Sequence, residues 1–159
     1  MLVVKRQLFV VEWRLEMRRK TYESNLSKLE SWAKKNNVKI VFGRHGELGE
    51  YDMHTKTIIV DSRLSNEKKI FVILHECGHA LVHKTIYGDR KYAVQVESFI
   101  DFSKKYTDEY KVEILREEFD AWERGVNLSR RLRLEGINYR KMKRYASSLI
   151  VEYCDWVLG

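Results

Sequence analysis

The stretch IFVILHECGHALVH, residues 70–83, decides how the rest of this chain is read. Its apolar runs, Ile70 to Leu74 and Ala80 to Val82, are too dense for a solvated element and fit a helix passing through a core. On such a helix His75 and His79 stand one turn apart on the same face, with Glu76 beside them. Two imidazoles and a carboxylate buried together cost free energy unless they are paired or hold a metal ion. The H-E-x-x-H spacing offers one ring nitrogen from each histidine to a single ion and leaves Glu76 next to an open coordination position. His75 and His79 are therefore read as metal ligands and Glu76 as the catalytic base. Cys77, between the two histidines, points away from both and is read as packing.

The flanking sequence supplies the other elements. Leu26, Leu29, Trp32 and Ala33 follow helical spacing within Tyr22 to Lys35, and Asn36-Asn37 is a stop signal; Leu2 to Arg19 suits a strand or a helix equally. Val38 to Phe42, Glu50 to Met53 and Thr57 to Val60 read as three strands, the first two joined by the turn-rich run Gly43 to Gly49 that contains His45, the last two by the polar turn His54 to Lys56. A small antiparallel meander is predicted. Ser65 is an N-cap candidate for the motif helix, which ends near Lys84. Thr85 to Tyr106 reads as helix or as a loop over the site. Asp108 caps a helix whose Val112, Ile114, Leu115, Phe119, Ala121 and Trp122 bury one side and which stops at Gly125. A short helix over Ser129 to Leu134 and a long one over Asn138 to Leu158 follow, split at Glu135-Gly136. The fold class is thus α+β: a small antiparallel sheet packed against an active-site helix, with a mainly helical C-terminal half. The expected organisation is one domain over 1–159, with a core of 22–125 and a C-terminal helical extension over 128–159.

A catalytic zinc ion takes three protein ligands and keeps its fourth position for water, so a third ligand must come from a later helix. Glu117-Glu118-Phe119-Asp120-Ala121-Trp122-Glu123 holds the candidates. A turn apolar at 115, 119 and 122 carries Glu118 to the buried edge; Glu118 is the expected ligand and Glu117 the alternative. An N,N,O donor set suits zinc. For an oxyanion-stabilising donor, His83 is nearest along the helix, and Tyr51, Tyr87, Tyr92 and Tyr110 cannot be ranked.

Composition bounds the rest. The 159 residues are 44% hydrophobic, contain no proline and only two cysteines, which excludes a disulfide framework and a cysteine-rich zinc site. The apolar N-terminal run is interrupted by Lys5, Arg6, Glu12 and Arg14, so no membrane span is expected and a cytoplasmic protein is. Much of the net charge of +7 sits at Arg130, Arg131, Arg133, Arg140, Lys141, Lys143 and Arg144, against the single acid Glu135. Such a patch can meet an acidic partner, but without aromatic or glycine interleaving a solvated face is favoured over nucleic-acid binding. Nothing in the sequence sets an oligomeric state.

The run from Ile73 to His83, the preceding strand pair Tyr51 to Asp61 and the E-x-x-A helix at Glu118 to Ala121 together resemble the ImmA/IrrE-type zinc metallopeptidases, including the small versions of phages and mobile elements. The resemblance covers roughly residues 38 to 125. It implies a zincin-like minimal metallopeptidase with a gluzincin-like site, in which His75, His79 and Glu118 bind zinc and Glu76 is the base. It also implies a polypeptide substrate, such as a regulatory protein, aligned along a sheet edge for which Thr57 to Val60 is the expected strand. Two features depart from the family. Trp122 stands where many members carry Asp or Asn, and the DNA-binding or sensor domain of some relatives has no counterpart here. The competing reading is a non-catalytic protein stabilised by a metal, whose basic C-terminal helices contact nucleic acid or an acidic partner. A purely structural site has no use for Glu76 and closes its fourth position, so the enzyme is preferred.

Overall fold

The computed structural model describes residues 2–44 and 48–158; His45 lies outside them. A long helix, α1 (Leu2–Lys35), leads the chain and resolves the ambiguity of its first residues in favour of helix. Its C-terminal half is anchored through Leu29, Trp32 and Ala33, whereas Val11, Trp13, Leu15 and Met17 are exposed. The helix ends where Asn37 turns to a positive φ of 57° and the Val38 amide donates to the Ala33 carbonyl at 2.8 Å.

Three strands follow: β1 (Lys39–Gly43), β2 (Gly49–Asp52) and β3 (Thr57–Asp61). The β2–β3 hairpin is antiparallel, and its turn is closed by the Asp52 carboxylate, which accepts from the amides of His54 and Thr55 at 2.8 and 3.2 Å. The sheet is not the wholly antiparallel meander expected from sequence. β1 pairs in parallel with β3, giving the order β1-β3-β2. The most buried strand takes the centre, where Ile58 and Val60 are fully enclosed, and β2 forms part of the crossover that a parallel pair requires. β3 is therefore not an edge; β2 is.

α2 (Asn66–His83) carries the motif and is buried along most of its length. Ser65 caps it, accepting from the Lys68 amide. The chain then makes two short 3₁₀ turns, Ile86–Gly88 and Arg90–Tyr92, a one-turn helix α3 (Ala93–Glu97) and a further 3₁₀ turn, Phe102–Tyr106. α4 (Asp108–Arg131) is capped not by Asp108, which is its first helical residue, but by Thr107, whose side chain accepts from the Tyr110 amide at 3.2 Å. It does not stop at Gly125 but absorbs the start of the predicted short helix. The reason is packing: a Cβ at Gly125 would overlap the Leu74 carbonyl, and one at Gly78 would overlap the Ala121 carbonyl. These glycines let α2 and α4 cross with their backbones in contact, so Gly125 serves close approach and not a helix end. The actual break is the turn at Leu132 to Asn138, where Arg133 and Gly136 have positive φ, before α5 (Tyr139–Leu158). None of the described helices is long and apolar enough to cross a membrane.

Candidate metal centre

α2 crosses α4 at its motif turn, and the crossing determines what the histidines meet. His75 and His79 bring their Nε2 atoms 3.1 Å apart. The Glu118 carboxylate reaches across from α4, with Oε2 3.2 Å from His75 Nε2 and Oε1 3.4 Å from His79 Nε2. Ligand atoms of these three residues all lie within 4.8 Å of one another. Zinc–ligand bonds of about 2.0–2.1 Å give a tetrahedron with edges of roughly 3.3 Å; the 3.1 Å between the two Nε2 atoms is close to one such edge, and each Glu118 oxygen lies a similar distance from one of them, so the three side chains converge on a space that could hold a single ion. The donor set, two imidazoles and one carboxylate, suits it chemically as well.

Glu117 is placed differently from its neighbour. Its Oε1 lies 2.8 Å from His79 Nδ1 and 3.1 Å from His83 Nε2, and its Oε2 accepts from the Gln95 side-chain amide. It therefore orients the far side of the His79 ring. Glu113, one turn earlier, accepts from the Val94 and Gln95 backbone amides, which ties α3 to α4. Gln95 lies in the stretch that sequence reading left undecided, and no local signal marks it.

The pattern expected of α4 is partly reversed. Val112 and Phe119 are 47% and 53% exposed, while Glu113, Glu117 and Glu118 are buried. Carboxylates facing histidines and backbone amides replace the apolar stripe that patterning anticipates.

Burial opposes charge on these groups, and the partners decide the balance. For Glu117 and Glu118 burial raises the pKa, but hydrogen bonds from His79 and His83, and from His75 and His79, hold both well below the usual carboxylate range. For His79 burial lowers the pKa, yet hydrogen bonds to Glu117 and Glu118 carry it well above the ordinary histidine value. Glu76 is pushed up, mainly by burial. Burial also raises the Cys77 thiol, which is fully enclosed, in keeping with a packing role.

Trp122 lies flat on the His75 ring, with centroids 4.2 Å apart and planes 19° from parallel. The opposite edge of that imidazole is unusual: Nδ1 is buried with no hydrogen-bond partner among the described residues.

The site opens into a cleft of about 850 Å³. Leu48, Gly49, Glu50 and Tyr51 of the β2 edge form one wall, and Leu149, Glu152, Tyr153 and Trp156 of α5 form another. Gly49 sits so close to α2 that a Cβ would overlap Val72 and approach Glu76 Oε1 to 3.2 Å. Of the donors considered from sequence, His83, Tyr51 and Tyr110 line this cleft. Tyr92 is buried with its hydroxyl donating to Asp120 at 2.6 Å, and Tyr87 is 74% exposed. The contribution of α5 was not read from sequence, although its cleft-facing residues 149, 152, 153 and 156 recur at helical spacing.

A family model described as the IrrE N-terminal-like domain, of the M78 peptidases, matches residues 33–122, more than half of the chain. The chain belongs to this family. No curated protein and no solved structure gives a significant match. Membership in the IrrE N-terminal-like family places the chain among metallopeptidases. The matched region runs from the end of α1 through the sheet and α2 to Trp122 on α4, while α5 lies beyond it.

Proposed function

We propose that this protein is a zinc-dependent peptidase that hydrolyses a peptide bond in a protein substrate, a regulatory protein being the best-fitting class. The observation that carries the reading is the convergence of His75 Nε2, His79 Nε2 and the Glu118 carboxylate, with the buried carboxylate of Glu76 beside them and a cleft open to solvent. His75, His79 and Glu118 would hold the ion. Bound zinc supplies Lewis acidity, lowering the pKa of water and polarising a carbonyl.

The chain's own groups supply the remaining steps. Glu76, its pKa raised by burial, takes the proton of the attacking water and returns it to the leaving amine. Glu117 keeps the His79 ring turned so that Nε2 faces the cleft. β2, beyond which no further strand lies among the described residues, runs beside Glu76 and offers an edge along which an extended polypeptide can add as a further strand. This favours a polypeptide over a small molecule. An open cleft on the Glu76 side also counts against the non-catalytic reading, since structural zinc sites are closed.

The test compares wild type with Glu76→Gln. The variant is expected to keep stoichiometric zinc and its melting behaviour while losing cleavage of unfolded or partner polypeptides by several orders of magnitude. Equal turnover in the two proteins would remove the peptidase reading.

A further inference from the structure

His79 and His75 are supported in different ways. His79 Nδ1 meets the Glu117 carboxylate at 2.8 Å, the usual arrangement for a ligating histidine, whose second nitrogen is normally held by a carboxylate, carbonyl or water. His75 Nδ1 has no such partner among the described residues. What it has instead is the Trp122 indole, stacked on its face at 4.2 Å. Trp122 Nε1 and the Tyr145 hydroxyl are likewise buried without a hydrogen-bond partner there, so the polar contacts of the imidazole are confined to its Nε2 side and its stacked face meets an aromatic group. Tyr145 of α5 stands edge-on to Trp122, with centroids 6.1 Å apart at 88°.

From this geometry we infer that Trp122 is the positioning residue of His75, fixing by ring stacking what a hydrogen bond fixes for His79, and that Tyr145 braces it from α5. The inference rests on His75 being a metal ligand. The physical case is direct. An imidazole without an acceptor at Nδ1 is free to rotate about its side-chain torsions unless its face is clamped, and an indole covers that face. Metal ligation makes the imidazole electron-poor, and an electron-rich π-face attracts such a ring more strongly than a neutral one. The contact therefore tightens on metal binding. It also makes α5, outside the matched family region, part of the metal centre's support.

The experiment is zinc affinity by chelator competition for the parent, Trp122→Phe and Trp122→Leu, with folding followed by circular dichroism. Loss of outer-shell support lowers metal affinity about 10–100-fold, so Trp122→Leu is expected to bind at least about tenfold more weakly. Trp122→Phe keeps an aromatic face and is expected to stay within about threefold of the parent. A residue that only fills space would lower stability in both variants without separating their affinities. Equal zinc affinity in a folded Trp122→Leu and the parent overturns the inference. If Trp122→Leu does not fold, uniform fluorotryptophan labelling of the unmutated chain weakens the π-face without altering packing; lower zinc affinity supports the assignment and unchanged affinity overturns it. A parent that binds no zinc removes the metal reading itself, which is a distinct outcome from a parent that binds while Trp122→Leu binds equally well.

Discussion

Glu117 and Glu118 are adjacent in sequence yet face different atoms, because one residue along a helix is a rotation of about 100°. Glu118 meets both Nε2 atoms, and Glu117 meets the back of His79 together with His83. Metal content separates the two positions: Glu118→Ala is expected to lose zinc, whereas Glu117→Gln is expected to retain it with about 10–100-fold lower affinity. The reverse order would exchange their roles. A proton balance belongs to the same residues. His79, its pKa raised by the hydrogen bonds to Glu117 and Glu118, holds a proton more tightly in the metal-free protein than an ordinary histidine does, and a ligating histidine must be neutral. Zinc binding near pH 7 should therefore release a proton, and affinity should fall as the pH drops. Calorimetry in two buffers of different ionisation enthalpy measures this; identical heats would contradict it. The pair of histidines was legible from spacing alone, since two residues four apart on a helix share a face whatever surrounds them. The separate positions of Glu117 and Glu118 were not, because the apolar stripe used to orient the helix includes Phe119, which is exposed.

Between elements, the α2–α4 crossing does the positioning. Gly78 and Gly125 remove the side chains that would hold the helices apart, and the crossing they permit brings Glu118 to the histidines. Gly78→Ala places a methyl group against the Ala121 backbone, which a flexible side chain cannot relieve. A loss of about 1–3 kcal/mol of stability is expected from overpacking, together with weaker zinc binding as the helices separate. Denaturant unfolding and chelator competition measure the two effects, and a variant unaffected in both would show that the crossing tolerates separation. Gly125 illustrates why the element was misjudged in length: in sequence, a glycine after an apolar periodic run has the same appearance whether it ends a helix or lets a neighbour approach. The strands had the same limit. Their alternation marks each one, but their order depends on which is buried on both sides, and that placed β3 in the middle and left β2 beside the cleft.

Across the whole molecule, the cleft is assembled from distant parts of the chain: the β2 edge on one side, α5 on the other, and the α2–α4 crossing as its floor. Tyr153 and Trp156 line the cleft from α5, so Tyr153→Ala and Trp156→Ala are expected to raise KM several-fold while leaving zinc content at the parental level. Unchanged KM in both would exclude α5 from substrate contact. Residue order alone specified an α+β chain, the helical character of 66–83 and the pairing of His75 with His79, because periodicity and i,i+4 spacing are local properties. Tertiary structure decided the sheet order, the close approach at the two glycines, the inward turn of three glutamates and the approach of α5. Those depend on which surfaces exclude water together, and that is a property of the packed chain that no single segment carries.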